Sequence, residues 1–325
     1  MILAGIDIGT NTLRLLIAET RPGSFHEIYS DRRVVRLGQD LDRGGILTRD
    51  AEDRALKALG DFTEKIRRYS ALHTSAVGTS ALRNASNAAA FIEKVRLKTS
   101  LDIRVITGEE EAELTLAGVV RGVKGFGEFH RDALDFALVI DIGGGSTEII
   151  EKCPAEETKS ASLPLGAVYL TDRYFKNDPP ARAEMEQLRR AVKDSLDKHR
   201  DMMEPGPGKA FIGTAGTITT LAAMDLSLSE YDPRKINGHT LSREAVDELV
   251  RRLAASTLKE RRSMPGLEHG REDIILAGAV VAQEIMERSG FPSMVVSDWG
   301  LREGIVLDLY DKILSKPVAI MAPGH

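Results

Sequence analysis

An aspartate followed by a glycine-bearing turn and short polar side chains occurs twice in this chain. The copies are Asp7-Ile8-Gly9-Thr10-Asn11-Thr12-Leu13-Arg14 and Asp141-Ile142-Gly143-Gly144-Gly145-Ser146-Thr147-Glu148. Glycine has no Cβ, so such a turn can adopt positive φ and bring backbone N–H groups to an anion. Thr10, Asn11, Thr12, Ser146 and Thr147 add short side-chain donors. Asp7 and Asp141 would repel a phosphate unless they hold a divalent cation, or orient a water between themselves and it. The pattern points to phosphate handled with Mg2+, with Mn2+ as the alternative ion. One copy alone reads equally well as ordinary Asp-x-Gly hairpin chemistry. The recurrence favours the phosphate reading.

Three further segments carry chemistry. Phe211-Ile212-Gly213-Thr214-Ala215-Gly216-Thr217 reads as a strand entering a helix through a glycine turn, where free N–H groups and the helix dipole favour an anion. Gly108-Glu109-Glu110-Glu111-Ala112-Glu113 sets four carboxylates at the start of a helix. They either serve the dipole or supply a general base for water. Arg83 follows a Gly-Thr-Ser turn, a place for a bidentate phosphate contact or for an exposed structural arginine. Gly270-Arg271-Glu272-Asp273 precedes small residues at Ala277, Gly278 and Ala279, which read as close helix packing.

The elements needed to position these residues follow from periodicity. Leu3–Ile6 and Ala137–Ile140 read as the strands that deliver Asp7 and Asp141 into their turns, so each copy is strand, turn, strand. Further strands are expected near 25–36, 73–77, 103–106, 160–163, 209–212 and 294–297. Helices are expected at 48–69, with Thr48 as N-cap, and near 86–98, 108–122, 167–175, 180–201, 213–224, 242–253, 270–288 and 301–314. Pro180 suits a first helical turn, 38–45 reads as a loop, and 316–325 as a tail with no evident job. Alternating strands and helices mean α/β. A polar, glycine-bearing stretch from Gly122 to Asp135 marks the first domain boundary.

Composition narrows the class. A chain of 325 residues, 42% hydrophobic and 29% charged, has room for two domains with proper cores. Cys153 is the only cysteine, which excludes an internal disulfide framework and a cysteine metal cluster, and fits a reducing compartment. A net charge of −5 argues against a nucleic-acid partner but not against a polyanionic substrate. The first residues carry no basic leader, and the longest apolar stretch, Ile274–Ala282, is far short of the ~20 residues that span a bilayer. A cytoplasmic protein without membrane contact is expected. The seven histidines are scattered and form no Ser/His/Asp set or HExxH pattern. Attack by activated water is the simplest chemistry.

Together these segments resemble the exopolyphosphatase and guanosine pentaphosphate phosphohydrolase (Ppx/GppA) family, in a short two-domain form. The resemblance rests on the two hairpins, Arg36-Leu37-Gly38, Gly78 to Ala85, Ile106 to Ala112, Leu165 to Val168, Gly213 to Thr217 and Asp298-Trp299-Gly300-Leu301-Arg302-Glu303-Gly304, in that order. It implies two RNase H-like domains of the actin, Hsp70 and sugar-kinase superfold, with a cleft between them. Domain I would span 1–121 and be completed by 300–325, and domain II would span 122–299.

By the same resemblance Glu111 is the general base, and Asp141 and Glu148, with Asp7, hold the metal. Arg83, Gly9, Thr10, Asn11, Gly143, Gly144, Gly145 and Ser146 would bind substrate, and the reading of the third glycine turn adds Gly213, Thr214 and Gly216, for a phosphate or the base side of a nucleotide. The implied reaction is hydrolysis of a terminal phosphoanhydride. Polyphosphate is the leading substrate, and guanosine pentaphosphate (pppGpp) the runner-up. The chain ends soon after 301–314, without the helical C-terminal domains of longer members, which weakens the case for long-chain processivity. A homodimer is the oligomer considered. An ATP-dependent small-molecule kinase and an actin-like assembly protein are the competing readings.

Overall fold

The computed structural model describes residues 1–123, 135–153 and 157–315. The first half is built from β1 (Ile2–Ile8), β2 (Thr12–Arg21), β3 (Ser24–Val34), α1 (Leu41–Gly44), α2 (Arg49–Arg68), β4 (His73–Gly78), α3 (Ser80–Asn84), α4 (Ala88–Thr99), β5 (Ile103–Val105) and α5 (Gly108–Val123). The second contains β6 (Ala137–Ile142), β7 (Thr147–Lys152), β8 (Lys159–Leu163), α6 (Ala167–Tyr174), α7 (Arg182–Leu196), β9 (Ala210–Thr214) and α8 (Ala215–Asp225). It continues through α9 (Pro233–Ile236), β10 (Thr240–Ser242), α10 (Arg243–Ala255), α11 (Leu258–Arg261), α12 (Ile275–Ser289) and β11 (Ser293–Val296), and α13 (Leu301–Leu314) ends the described chain.

Two sheets result, ordered β3-β2-β1-β4-β5 and β10-β11-β9-β6-β7-β8. Without the edge strand β10 they are the same topology twice, as the paired hairpins imply. In each, an antiparallel hairpin leads into parallel strands: β1 with β4 and β5, β6 with β9 and β11. Every residue from Ala137 to Ile142 is buried, the signature of a strand covered on both faces. On the first sheet α2 covers one face through Ala51, Ala55, Leu59, Phe62 and Ile66, a stripe at helical spacing, and α13 packs on β1, β2 and β4.

The two sheets meet through α5 and α13, which cross backbone to backbone. A Cβ on Gly304 would lie 1.8 Å from the Leu114 carbonyl oxygen, and one on Gly118 would lie 2.0 Å from that of Gly300. Ion pairs also join the halves: Arg36 grips Asp273 at 2.6 and 2.9 Å, and Arg32 meets Glu268 at 2.6 Å. Among the described residues no helix is long and apolar enough to cross a membrane.

Several boundaries differ from expectation. The loop expected at 38–45 contains α1. Pro180 precedes the N-cap rather than opening a helix, because the Glu184 carboxylate accepts the Ala181 N–H at 2.8 Å and fixes the start there. That helix ends at Leu196 and continues as a 3-10 segment, Asp197–Met203. The helix expected from Gly270 begins at Ile275, since positive φ at Gly266 and Gly270 keeps the preceding chain in turns. The short α9, β10 and α11 have no run length to announce them. Residues 124–134 of the expected boundary, and the tail 316–325, lie outside the described residues.

The helix crossing gives a direct test. Gly304→Ala should lower stability by about 1–3 kcal/mol in denaturant melts. Gly60→Ala, where a Cβ meets nothing within 4 Å on α2, should raise it by roughly 0.5–1 kcal/mol.

Candidate active site between the two hairpins

The two turns have the same internal closure: Gly9 N–H donates to the Thr12 carbonyl at 3.1 Å and Gly143 N–H to that of Ser146 at 3.0 Å. Their other carbonyls are tied outward. Thr10 O accepts from Gly38 N–H at 2.8 Å, Gly143 O from Ala167 N–H at 2.9 Å and Gly144 O from Val168 N–H at 2.8 Å. In a trans peptide the C=O and the following N–H point oppositely. The N–H groups of Asn11, Gly144 and Gly145 are therefore turned away from these ties and left for an anion.

The turns face each other in near contact. A Cβ on Gly145 would lie 2.5 Å from both the Ser80 and Thr10 hydroxyls, so only glycine permits this approach. Between them is a cavity of about 70 Å3, into which Asp7, Gly9, Thr10, Asn11, Glu111, Asp141, Gly143, Gly144, Gly145, Ser146 and Gly216 project or present backbone.

Four of the proposed residues are off this wall. Arg83 stands behind Glu111, donating to its Oε2 at 3.2 Å and to the Ile106 carbonyl at 2.8 Å. Glu148 is opposite Asp141 in the β6–β7 register and accepts from the Ser162 hydroxyl at 2.8 Å. Gly213 packs against Met294 and Ile218, and the Thr214 hydroxyl donates to the Trp299 carbonyl at 2.9 Å.

The acidic run divides its labour. Glu110 and Thr107 cap α5 reciprocally, with Thr107 N–H donating to Glu110 at 3.0 Å, while Glu109 and Glu113 are exposed. Of the four, Glu111 alone lines the cavity.

Two arginines on the cavity wall were missed. Arg14 lies opposite Asp7 in the β1–β2 register, as Glu148 lies opposite Asp141. The signal was available: each is the seventh residue after its aspartate. Arg271, read from sequence as part of a packing segment, is held by Glu268 at 2.8 Å, with its guanidinium in the space a side chain at position 216 would need. Nothing in the local sequence signals that placement. Beside it Ala215 has φ of 69°, a left-handed conformation that costs a non-glycine residue about 1–2 kcal/mol. Such strain clusters at functional sites.

Asp7, Glu111 and Asp141 are each 7% exposed and Glu148 is 1% exposed. Burial pushes the Asp7 and Asp141 carboxyls up to about 6 against the pull of Arg14. Burial first, then Asp141, raises Glu148 to about 8. Glu111 is pushed well above the usual range by burial and then by Glu148.

The donor set fits a hard cation. Asp7 Oδ1 and Asn11 Oδ1 are buried without a hydrogen-bond partner. Among the described residues no three His, Cys, Asp or Glu side chains form a ready cage. Mg2+ does not need one, because it takes one or two carboxylates and completes its shell with water and substrate oxygens.

These shifts make stability depend on pH. A carboxyl raised by folding favours the protonated native state, so its stabilisation is full below the unfolded value, near 4, and is lost as pH rises through about 6 and about 8. In chelator-treated protein the thermal midpoint should fall between about pH 5 and pH 8. Glu148→Gln should fall less, and Mg2+ should restore the midpoint most at the alkaline end. A midpoint that rises over that range would exclude this account.

Comparison with known proteins places these features in a family. The model of the Ppx/GppA phosphatase family matches residues 16–313. Exopolyphosphatase 2 of Mycobacterium tuberculosis is 35% identical over 320 residues, covering 94% of this chain and 98% of that protein. An exopolyphosphatase structure from Cytophaga hutchinsonii superposes with a TM-score of 0.85 at 29% identity, covering 96% of this chain and 98% of that one. The Aquifex aeolicus Ppx/GppA family member superposes at 0.77 with 30% identity, covering 98% and 99%. With its doubled topology and the match along nearly its whole length, the chain belongs to the Ppx/GppA phosphatase family of phosphoanhydride hydrolases.

Proposed function

We propose that the chain is a cytoplasmic exopolyphosphatase, which hydrolyses the terminal phosphoanhydride of inorganic polyphosphate and releases orthophosphate. One observation carries this reading: both glycine turns, Glu111, Arg14 and Arg271 converge on a single small polar cavity. The names of the similar proteins also favour polyphosphate.

In this mechanism the N–H groups of Asn11, Gly144 and Gly145 hold the terminal phosphoryl oxygens, and Arg14 and Arg271 offset their charge. Glu111, held by Arg83, accepts the proton of the attacking water. Burial makes its carboxylate a stronger base than an exposed one. The oxygen bridging to the next phosphate leaves with the bonding electrons, and the chain is one unit shorter. Asp7, Asp141 and Glu148 are the set from which the one or two carboxylates holding Mg2+ would come, and the ion would supply charge neutralisation to the phosphate oxygens when bound. The two domains that carry the turns would be 1–121 completed by 300–325, and 122–299.

A second reading, pppGpp hydrolysis, is favoured by one feature. A cavity of about 620 Å3 adjoins the site across Arg14 and Ala215, and Tyr231 and Trp299 line it. Its size suits a nucleoside.

Phosphate release with Mg2+ from polyphosphate, pppGpp and ATP should be fastest with polyphosphate; a preference for pppGpp would install the second reading. Glu111→Gln should lose about 10^2–10^4-fold in kcat while its circular dichroism is retained. Unchanged turnover in that variant would remove Glu111 from the role of base. Arg271→Ala should weaken kcat/KM by about 10-fold or more.

A further inference from the structure

A third cavity, of about 330 Å3, adjoins the phosphate cavity on another wall, the one formed by Thr10, Ser80 and Gly145. That volume lies within the ~300–1,000 Å3 typical of small-molecule pockets. Its remaining polar lining is Asn84, Tyr169, Asp42 and Asp172, with Leu41 among the apolar residues and no lysine or arginine. Arg173, outside the lining, pairs with Asp42 and donates to the Tyr169 hydroxyl at 2.9 Å, which leaves Asp172 as the lining carboxylate without an ion pair. Such a lining offers an anionic polymer little, whereas amide, phenol and carboxylate groups suit hydroxyls. The 620 Å3 cavity differs in carrying cations, Arg14, Arg32, Arg234 and Arg302, beside Glu27, Asp31 and Asp298. At the shared wall the Thr10 hydroxyl oxygen is buried and has no hydrogen-bond partner, and Thr10 is only 6% exposed. That hydroxyl keeps its donor and acceptor capacity for a bound hydroxyl group.

We propose that this pocket receives a neutral polyhydroxylated molecule, and that the enzyme transfers the terminal phosphoryl group of polyphosphate to one of its hydroxyls beside hydrolysing it. This rests on the polyphosphate reading of the site. The acceptor oxygen forms the new bond to phosphorus and the terminal phosphoanhydride bond breaks. The shortened polyphosphate leaves with that bond's electron pair, and the hydroxyl proton passes to Asp172. Asp42 is engaged by Arg173 at 3.5 Å, whereas the Asp172 carboxylate accepts only a 3.3 Å contact from Asp40 N–H, Arg43 and Lys176 going to its backbone carbonyl. Burial also raises the Asp172 carboxyl, in keeping with a proton acceptor. Water and acceptor compete for one phosphoryl group, so the ratio of ester to orthophosphate reports on the pocket alone.

The test incubates the full chain with Mg2+, polyphosphate and one of three probes, glycerol, myo-inositol or glucose, and follows products by phosphorus NMR. A phosphate monoester that saturates with at least one probe is expected. Its ratio to orthophosphate should fall by about tenfold or more in Asp172→Asn and in Leu41→Trp, which fills the pocket. Orthophosphate without ester from any of the three probes overturns the proposal and leaves the polyphosphate reading intact. Ester whose ratio is unmoved in both variants overturns it too, as trapping from bulk solvent. Absence of both products removes the polyphosphate reading and this proposal with it.

Discussion

Three buried carboxyl groups, Asp7, Glu111 and Asp141, line the small cavity where two hairpins converge, and a fourth, Glu148, is buried opposite Asp141 on the neighbouring strand. Charged groups in so small a volume repel each other strongly once water is excluded, and no arrangement of side chains alone makes them all comfortable as anions. The surrounding structure is organised to hold them there regardless. Short cross-strand registers fix Asp7 and Asp141, the capped start of α5 fixes Glu111, and the Ser162 hydroxyl fixes Glu148. A site of this kind stores destabilisation in its ligand-free form and returns it as affinity for whatever neutralises it.

Holding that geometry requires two domains in fixed relation, and the chain meets the demand with very little side-chain material. The α5–α13 crossing is backbone on backbone, and the hairpin turns approach through Gly145. The Arg32–Glu268 and Arg36–Asp273 pairs then brace the rim. Because these rim pairs are partly exposed, their individual contributions are modest and salt-sensitive. The glycine contacts are steric and respond to neither salt nor pH.

Much of the fold was legible because its signals are local. Glycine turns after apolar runs announced both hairpins, Thr48 and Ser242 announced helix starts that the structure places one residue later, and Leu301–Leu314 matched its periodicity throughout. The site was legible where a motif is contiguous along the chain. It was illegible where proximity depends on tertiary packing: Arg271 comes to the cavity from a turn before α12, and nothing near it in sequence hints at Gly216 as its neighbour. Arg83 illustrates the reverse, since its motif was evident but its contacts run to Glu111 and Ile106 rather than to the cavity wall. Thr214 likewise spends its hydroxyl on Trp299.

The repeated hairpins are alike in backbone and unlike in electrostatics. Seven residues past its aspartate, the first carries Arg14 and the second carries Glu148, so one cross-strand pair joins opposite charges and the other joins like charges. The two turns therefore form a matching mould with a built-in polarity. The two sides of the cavity differ in charge where their backbones match, so its ends are not interchangeable.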